Sequence, residues 1–473
     1  MSENSISRNL FGRRMIFTDE QAITADNVAA VVEQAYITHL INRGEIDYLW
    51  KYYKGDQPVL YRTRELRNEL TQHVVENRAN EITTFKVGYV IGEPITYVSS
   101  DSETADTKSI NMLNKRMRNI GKRTKDKTLV EWAMISGLGY RYVVQNKERR
   151  IRSPFNLYTL DPRDTFVIRA NDYTQRVLAG VHYVTDKSQN IIFTVFTEDS
   201  CFTILHGSDH VDEQPNNFGM IPIIEYPANT ARLGCFEIVL SMLDAINNFD
   251  SARLEAVEQF VQSLLVLYNC QIDEGTTADT IRAAGMILLK STGDSKADIK
   301  NLAEQLDQSQ NQTLKDDLYQ AVLQIVGVPS QSATGTSDSS NNGAVVLKNG
   351  WQGAETRAQD FEAMFQMPEQ EMLQLVSIIC DGLSDLSFDP TDIEVKFTRR
   401  NYENILSKSQ TLVSMLASDK VHPKCAYEAS GLFVDVEEAY KLGMEWLEQQ
   451  RKLQAEQQEQ VTEDEPKGIA GVG

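Results

Sequence analysis

The stretch LKDDLYQAVLQIVGVPSQSATGTSDSSNNG, residues 314–343, contains the change of pattern that decides the fold. Apolar residues recur at helical spacing over residues 306–326, and Gly327 and Pro329 end that pattern. Residues 330–343 contain only Ser, Thr, Gly, Asn, Gln, Asp and Ala, which is the composition of a flexible loop. We therefore predict a long helix that runs directly into a loop.

Long helical patterns lie on both sides of this stretch. Residues 232–262 carry apolar residues three or four apart, enough for a helix of about 45 Å. Residues 264–305 predict a small strand–helix–strand unit between the two helices. Residues 344–383 predict a third long helix after the loop, and we expect two glycines and Pro368 to kink it.

The N-terminal half has a different character. An amphipathic helix begins near Asp26, and we expect Gly44 to end it. Residues 139–227 then give short β-branched and aromatic runs separated by turn residues, which is typical of an antiparallel sheet. Together with the long helices, these runs predict an α+β fold.

The charge and composition of the chain exclude some classes of partner. The 473 residues carry a formal net charge of −20, whereas a general nucleic-acid binder shows a basic footprint. An anionic membrane surface would repel such a chain. We find no apolar run of membrane-spanning length and no apolar signal core, so we expect a soluble protein that is neither secreted nor inserted. The five scattered cysteines form no CxxC pair, which indicates synthesis in a reducing compartment.

Catalytic and metal-binding motifs are missing from the sequence. The Gly121–Lys122 pair has Arg116 where a P-loop needs its first glycine, and neither HExxH nor GxSxG occurs. His206 and His210 are four residues apart, but an isolated pair lacks the three or four ligands of a zinc site. We therefore expect no catalytic residue, no metal and no cofactor, and a protein that is not an enzyme.

Two local clusters have more than one interpretation. The main basic block runs from Lys115 to Lys127, and either packed DNA or an acidic neighbour could contact it. A solvated helix face or a salt-bridged subunit contact is the interpretation we favour. The aromatic residues between Tyr48 and Tyr53 could stack nucleic-acid bases, but core packing or an interface is the commoner role of such residues.

The order of several stretches resembles the phage portal family, in the branch typical of long-tailed (siphovirus-type) phages of Gram-positive hosts. The resemblance covers most of residues 35–445 and is carried by YLWKYYKGDQPVL (48–60), NRANEITTFKVGYVIGEPITY (77–97), DAINNFDSARLEAVEQF (244–260), LKDDLYQAVLQIVGVPS (314–330), SSNNGAVVLKNGWQGAE (339–355), IEVKFTRRNYEN (393–404) and ASGLFVDVEEAYKL (429–442). Asn342 and the Val345–Val346 pair depart from the usual tunnel-loop junction, and FVDVEE lacks the proline usual after its Asp.

The resemblance implies a portal-type elongated subunit, about twelve of which form a ring around a channel for double-stranded DNA. It divides the chain into a flexible N-terminal arm (1–25), an α+β wing (26–231), stem helix 1 (232–263), a small α/β clip (264–305), stem helix 2 (306–329), a tunnel loop (330–343), a kinked tunnel helix with a returning wing strand (344–400), a helical crown (401–450) and a disordered polar tail (451–473).

The resemblance also assigns two sets of site residues. The DNA-channel set comprises Ser337, Ser339, Asn341, Asn342, Gly343 and Lys348. The clip set, which would dock the terminase or the connector, comprises Asp273, Glu274, Arg282, Lys290 and Lys296. Lys348 is the candidate for a direct phosphate contact, with a plain helix-surface lysine as its alternative.

The implied partners are other copies of the chain, double-stranded DNA, the large terminase, a head–tail connector or adaptor, and the major capsid and scaffolding proteins, with no membrane. The implied location is the portal vertex of the virion, after synthesis in the host cytoplasm. Two alternatives stay open: another connector or tail component, and an enzyme that acts on nucleic acid. The second would need a carboxylate or metal constellation that we cannot assemble from this sequence.

Overall fold

The computed structural model describes residues 10–63, 71–100, 107–146, 153–261, 265–268, 270–271, 290–291, 298–301, 308–329, 350–383, 386–399, 405–418, 420–433 and 436–463. Ten helices are present in these ranges: α1 Val28–Tyr53, α2 Arg78–Ile91, α3 Thr107–Asn119, α4 Lys122–Ser136, α5 Leu240–Val261, α6 Gln308–Val326, α7 Trp351–Leu383, α8 Ile405–Leu416, α9 Pro423–Ser430 and α10 Val436–Glu463.

The strands of the described ranges form five separate sheets. They are β1 Phe17–Thr18, β2 Thr96–Ser99, β3 Leu138–Gln145, β4 Phe155–Leu160, β5 Thr165–Ala170, β6 Val177–Thr185, β7 Ile191–Phe196, β8 Ser200–Leu205, β9 Val211–Pro215, β10 Ile223–Pro227, β11 Leu265–Tyr268, β12 Cys270–Gln271, β13 Lys290–Ser291, β14 Asp298–Asn301 and β15 Ile393–Lys396. The largest sheet has the order β1-β5-β6-β7-β8-β9, and a second has the order β10-β3-β4. The pairs β11–β14, β12–β13 and β15–β2 complete the set.

The pairing confirms the α+β fold class. All strand pairs are antiparallel except β1–β5, in which the short N-terminal strand lies parallel to its partner. Neighbouring strands of the large sheet from β5 to β9 follow one another in sequence, as in a meander. The short β-branched runs therefore pair locally, as their turn punctuation predicts.

Helix α1 connects two hydrophobic cores. Its first half packs against the large sheet, where Val32 and Tyr36 contact the buried faces of β5 to β8. Its second half packs with α2, α5 and α6 through Leu49 and Tyr52. The prediction that Gly44 ends this helix is wrong, because the helix continues to Tyr53 on the strength of this packing.

A third core surrounds α7. Residues of α2, α3 and α4 pack there with the sheet β10-β3-β4 and with the pair β15–β2. Phe365, Met372 and Val376 of α7 are fully or almost fully buried in it. The helix runs as one element through Gly353 and Pro368, and its middle is enclosed by the rest of the fold.

Three further predicted boundaries differ from the structure. Residues 10–25, predicted as part of a flexible arm, are packed into the fold: β1 pairs with β5, and buried Arg13 lies 2.6 Å from Glu237 Oε1. Helix α5 begins at Leu240 and not at residue 232, because the preceding residues form a turn in which Arg232 has a φ of +57°. Helix α10 continues to Glu463, so residues 451–463, predicted as disordered tail, are helical. Gln, Glu, Lys and Ala dominate that stretch, and all four have high helix propensity.

Candidate functional site

The helix pair α5–α6 is the first component of the candidate site. The C-terminal end of α6 and the N-terminal end of α5 share an apolar core with α1 and α2, and its buried members are Leu49, Tyr52, Ala79, Ile82, Ile135, Phe236, Val239, Leu240, Leu243, Ile246, Val322, Leu323, Val326 and Val328. Farther along, the pair is joined by polar contacts: Arg253 Nη1 donates to Gln312 Oε1 at 2.9 Å. The pair is thus fixed at one end by apolar packing and beyond it by side-chain hydrogen bonds.

An extended segment, residues 71–77, lies along α5 and is here named the strap. Three of its backbone N–H groups donate to side chains of α5: Glu76 N to Asn247 Oδ1 at 2.8 Å, Val74 N to Ser251 Oγ at 3.0 Å and Gln72 N to Glu255 Oε1 at 3.1 Å. The three acceptors, named the polar ladder, are 1%, 0% and 2% exposed.

The polar ladder forms because four residues along a helix and two residues along an extended chain span nearly the same distance. Its residues are four apart on a helix, a step of about 6 Å. The donors are two apart in an extended chain, a step of about 6.6 Å. Each second backbone amide of the strap therefore meets the next ladder residue. Because the donors belong to the backbone, these three hydrogen bonds depend on the identity of the ladder residues and not on that of the strap residues. A strap side chain adds a separate contact, since Gln72 Nε2 donates to Glu258 Oε2 of α5 at 2.8 Å.

A charged cluster joins the strap to α6. Lys315 Nζ lies 2.8 Å from Glu76 Oε2 and 2.9 Å from Asp250 Oδ1, so it bridges the strap and both helices of the pair. Beside it, the guanidinium of Arg78 lies 3.9 Å from the ring centre of Tyr319 on α6. The cluster therefore attaches α6 and α5 to the start of α2.

The two carboxyl groups of this cluster titrate differently. Burial acts to raise the pKa of Glu76, but hydrogen bonds with Asp250 and Lys315, with the nearby Arg78 charge, lower it to about 2. Burial and the adjacent Glu76 raise the pKa of Asp250. Glu76 therefore carries the negative charge that the cations of the cluster stabilise.

The two ends of residues 330–349 form the second component. Helix α6 ends at Val326 and is followed by Gly327, with φ +69°, and α7 starts after Gly350, with φ +77°. A Cβ on Gly350 would lie 3.9 Å from the Cα of Pro329, so the chain returns to the place that it left. Trp351 holds the returning end against α2, with its ring centre 6.0 Å from that of Phe85 and 5.9 Å from that of Tyr89.

A small cavity lies beneath these two ends. Its volume is about 20 Å³, the space of a single water molecule, and it is lined by Phe85, Lys86, Tyr89, Val90, Met134, Gly327, Ala354, Arg357 and Ala358. Burial lowers the pKa of Lys86, and the positive charge of Arg357 acts in the same direction. The ends of the segment are therefore close to two cationic side chains.

The third component is a buried ionic cluster of Lys122, Asp126, Arg141 and Glu369 that fixes the middle of α7. Glu369 Oε1 lies 2.8 Å from Lys122 Nζ, and its Oε2 accepts from Arg141 at 3.0 Å. Asp126 accepts hydrogen bonds from both cations. Lys122 Nζ lies 2.6 Å from its Oδ2, and Arg141 Nη2 donates to its Oδ1. The two positive and two negative charges balance, as burial of such a group requires.

Two tyrosines complete the ionic cluster. Tyr97 Oη donates to Glu369 Oε1 at 2.7 Å, and Tyr226 Oη donates to Glu369 Oε2 at 2.9 Å. Burial acts to raise the pKa of Glu369, but Lys122 and Arg141 outweigh it and lower the pKa to about 2. Burial raises the pKa of both tyrosines, which remain neutral donors. Strands β2, β3 and β10 and helix α4 are thereby joined to one carboxylate of α7.

The predicted DNA-channel and clip residues are almost all outside the described residues. Those outside are Ser337, Ser339, Asn341, Asn342, Gly343, Lys348, Asp273, Glu274, Arg282 and Lys296. Lys290 lies in a described segment, where it pairs with Gln271 in the ribbon β12–β13. The structure therefore describes the supports of the two predicted sites and not the site residues themselves.

The basic block is partly structural. Lys122 belongs to the buried ionic cluster, Lys125 Nζ donates to Asn156 Oδ1 at 2.6 Å, and Arg123 donates to the carbonyl of Gly92 at 3.1 Å. Burial of Lys122 in the ionic cluster excludes a DNA contact for that residue. Lys125 and Arg123 each make a hydrogen bond within the chain, and Arg123 is exposed. The aromatic residues between Tyr48 and Tyr53 pack among α1, α4 and α5, with Trp50 stacked on Trp132 at 4.5 Å.

Sequence reasoning missed the polar ladder and Glu369. Asn247, Ser251 and Glu255 recur at steps of four on α5, but other polar residues, among them Asp250 and Arg253, lie on the remaining faces of that helix. Glu369 directly follows Pro368 in a helix that carries several other acidic residues. No local pattern therefore separates these buried polar residues from their exposed neighbours.

Neither a metal centre nor a membrane span occurs in the part of the chain that the structure describes. Its His, Cys, Asp and Glu residues form no group of three that could hold a metal ion. Its helices include none that is both long and apolar enough to cross a bilayer. His206, one of the pair considered from the sequence, instead lies 2.8 Å from Glu33 Oε1.

The chain is similar to a family of known proteins and to solved structures. Residues 35–463 match the profile of a family described as phage portal protein, SPP1 Gp6-like. No curated protein matches the chain. A solved structure described as "Neck of empty GTA particle computed with C6 symmetry" is similar at 12% identity and a TM-score of 0.44, over 83% of this chain and 94% of that chain.

Proposed function

The chain belongs to the SPP1 Gp6-like family of phage portal proteins, and from this premise we propose that about twelve copies form a ring at one capsid vertex. It is a portal protein, a head-to-tail connector of the phage virion, and it serves genome packaging. In the proposed ring, double-stranded DNA passes through the central channel into the capsid during packaging and out of it during ejection. We further propose a long-tailed phage of a Gram-positive host as the source.

The observation that carries this proposal is the extent of the family match. It runs from within α1 to the end of α10 and includes both helices of the pair, the ionic cluster and both ends of residues 330–349. A partial match would leave room for a shared module in an unrelated protein. A match over almost the whole chain supports a portal subunit as a whole.

We assign roles to the segments on the same basis. Residues 26–231 form the wing, 232–263 and 306–329 the stem, 264–305 the clip, 330–343 the tunnel loop, 344–400 the tunnel helix and returning strand, and 401–450 the crown. The strap, the polar ladder and the Lys315 cluster then attach the stem to the wing. The ionic cluster then attaches the tunnel helix to the wing.

The tunnel loop and the clip carry the proposed contacts. The small polar side chains of Ser337, Ser339, Asn341 and Asn342 contact DNA phosphates weakly, and Lys348 contacts them directly. Gly343 lets the loop change its backbone path. The clip residues Asp273, Glu274, Arg282, Lys290 and Lys296 face the large terminase during packaging and the connector afterwards. The capsid and scaffolding proteins are the remaining partners, and the subunit is made in the host cytoplasm.

The negative net charge of the chain is compatible with a channel through which DNA slides. Each copy carries a formal net charge of −20, and a ring multiplies it around the channel. A negative wall repels the phosphates of the duplex from all sides, so the duplex is centred and free to slide. A basic wall would instead hold the duplex by counterion release and oppose its movement.

The portal family is structural, and we propose that the chain itself has no catalytic activity. Packaging then needs an ATPase on a separate chain, the large terminase. ATPase and nuclease assays on the purified chain test this: we expect rates equal to those of a buffer blank. Turnover that co-purifies with the chain through two chromatographic steps would contradict the proposal.

The ring is tested by native mass spectrometry and negative-stain imaging of the purified chain. We expect a cyclic particle of about twelve copies with a central hole wide enough for a duplex. A monomer or dimer that persists at high protein concentration, with scaffolding protein present, would favour a different connector component.

A further inference from the structure

Two cationic side chains line one small cavity without an anionic partner in the part of the chain that the structure describes. Lys86 of α2 and Arg357 of α7 both belong to the wall of the cavity beside Gly327. Neither side chain forms an ion pair or a side-chain hydrogen bond with another described residue. Two like charges therefore border the same space with no counter-charge between them.

Other enclosed cations of this protein are neutralised. Four of them are buried, and each lies within ion-pair distance of a carboxylate: Arg13, Lys122, Arg141 and Arg232. Lys86 is less buried than these four, yet burial still lowers its pKa, and the charge of Arg357 acts in the same direction. An anion bound beside Lys86 would reverse both effects and would thus be stabilised there.

The acidic groups close to the cavity do not supply this anion. Glu355 lies beside the cavity residue Tyr89, but its Oε1 accepts from Arg399 at 2.6 Å and its Oε2 accepts from Tyr89 at 2.8 Å. Cys235 interacts electrostatically with Lys86, but burial raises the pKa of its thiol, so the thiol is neutral at neutral pH. The counter-charge must therefore come from outside the described residues.

The cavity accepts one atom of an anion and not a whole one. Its volume is about 20 Å³, the space of a single water molecule. Most of its remaining wall is apolar and is formed by Phe85, Val90, Met134, Ala354 and Ala358. One oxygen of an oxyanion can replace that water, while the other oxygens stay at the mouth beside the exposed Arg357. The apolar wall strengthens the attraction between the ammonium and this oxygen.

Gly327 leaves room for the arginine at this place. A Cβ on Gly327 would lie 2.3 Å from Cδ and 2.4 Å from Nε of Arg357, so the side chain crosses the end of α6 only because the glycine carries none. An arginine presents a planar fork of N–H donors, which binds phosphate oxygens in pairs, and a lysine adds a point charge. The two side chains together have the chemistry of a phosphate site.

We propose that Lys86 and Arg357 form a binding site for phosphate oxygens. In the proposed portal, the phosphate belongs to the double-stranded DNA of the channel, since Gly327 and Arg357 lie where α6 ends and α7 begins, at the attachment of the proposed tunnel loop. The assignment to DNA rests on the proposed function, whereas the site itself does not. Free phosphate has the same chemistry and is the second source that the experiment distinguishes.

Lysine acetylation tests the site in the full-length chain. The protein is treated briefly with an amine-acetylating reagent in increasing inorganic phosphate at constant ionic strength, and mass spectrometry gives the rate at each lysine. We expect phosphate to slow the acetylation of Lys86, because a bound anion favours the protonated, unreactive ammonium. Lys187, exposed in the turn between β6 and β7, is the internal control and is expected to react at an unchanged rate.

Arg357→Gln measures the contribution of the second cation. Because Arg357 is exposed, its replacement leaves no buried space, and far-UV circular dichroism checks that the variant is folded. The phosphate concentration that gives half of the protection of Lys86 is expected to rise at least about tenfold, since a charged hydrogen-bond donor is lost. Lys187→Gln is the matched control and is expected to leave that concentration unchanged.

A short linear DNA duplex, added to rings isolated by size, identifies the source of the phosphate. Slower acetylation of Lys86 in the presence of the duplex would support contact with DNA. Protection by inorganic phosphate but not by the duplex would overturn the assignment to DNA and leave a site for free phosphate.

The remaining outcomes separate the site from the proposed function. If neither phosphate nor the duplex changes the rate at Lys86, the site is overturned while the portal function stands. Equal slowing of Lys86 and Lys187 would show a general ionic effect and would also contradict the site. If no rings form, the proposed ring fails, and the phosphate titration of the subunit still decides whether the site exists.

Discussion

The ionic cluster and the strap attach two long helices to the rest of the fold by different means. Around Glu369, charged side chains from separate elements converge on one carboxylate, and every carboxylate oxygen of the cluster accepts a hydrogen bond. Along α5, the polar ladder accepts from backbone amides, and the strap contributes no side chain to these three bonds.

This difference between side-chain ion pairs and backbone hydrogen bonds predicts how each attachment responds to a substitution. The ionic cluster is balanced, so loss of one member leaves an uncompensated charge in the interior. The strap is a series of separate neutral or singly charged hydrogen bonds, so loss of one leaves the others in place. We therefore expect loss of one member to release α7 in an all-or-none manner, whereas α5 should be released in graded steps.

The largest effect should come from Glu369→Gln. It removes one negative charge while keeping the shape, and leaves Lys122 and Arg141 with Asp126 as the single counter-charge. We expect the free energy of unfolding to fall by about 3–5 kcal/mol, measured by chemical denaturation. The control is Glu394→Gln, since Glu394 forms a surface ion pair with Lys396 and its loss should cost less than about 1 kcal/mol. Similar losses in both variants would contradict a special role for the cluster.

Ser251→Ala should have an intermediate effect on stability. It removes the acceptor of the Val74 amide in the middle of the polar ladder, at an expected cost of about 1–2 kcal/mol. Hydrogen exchange should become faster at Val74, and to a smaller degree at Gln72 and Glu76, while α7 stays protected. Ser241→Ala, on the exposed side of the same helix, is the matched control and should change neither quantity. Faster exchange throughout α7 would show that the two attachments are not separate.

Lowering the pH should separate the charged part of the α5 attachment from its neutral part. The pKa of folded Glu76 is about 2, below its ordinary value of 4.5, so its stabilising contribution is present above pH 4.5 and is lost as the pH falls toward 2. The difference in unfolding free energy between the wild type and Glu76→Gln should therefore shrink over that range. The difference for Ser251→Ala should stay constant there, because no titrating group is removed. If the difference in unfolding free energy between the wild type and Glu76→Gln did not change with pH, the lowered pKa of Glu76 would be contradicted.

Gly44→Ala should have the smallest effect and the opposite sign. It touches neither attachment: a Cβ there would meet no atom within 4 Å, and the residue lies inside α1. The loss of backbone freedom in the unfolded chain should stabilise the protein by about 0.5–1 kcal/mol. Gly137→Ala is the contrasting control, since its φ of +85° and a carbonyl oxygen 2.1 Å from the new Cβ should make it destabilising. Thermal unfolding measures both.

Sequence patterns predicted most helices and strands but not the side-chain contacts that join them to one another. The long helices and the antiparallel runs were identifiable because apolar periodicity is a local property of the chain. The start of α5 at Leu240 was not, because Gly234 packs against the backbone of Ile135, nearly a hundred positions earlier. Gly44 was misread for the same reason, since the packing of Leu49 and Tyr52 that carries α1 onward involves distant residues.

In the candidate site too, local composition was predictive, whereas contacts between residues distant in sequence were not. The composition of residues 330–343 predicts a loop, but no local pattern shows that the flanking residues Pro329 and Gly350 lie next to each other. The role of Lys122 in the ionic cluster was hidden inside a basic block, because its partner Glu369 lies far away in sequence. The DNA-channel and clip residues remain predictions that rest on family resemblance.

The adjacency of Pro329 and Gly350 has a consequence for how such a protein can evolve. When both ends of a segment are anchored at one place, its length is free to change without moving the helices that carry it. Closure of a flexible segment costs only about 0.6 kcal/mol more for each doubling of its length. For the loop that the composition of residues 330–343 predicts, we therefore expect insertions and deletions to cost little folding free energy. Selection can adjust the bore of the proposed channel by editing one stretch of sequence, while the scaffold around it stays unchanged.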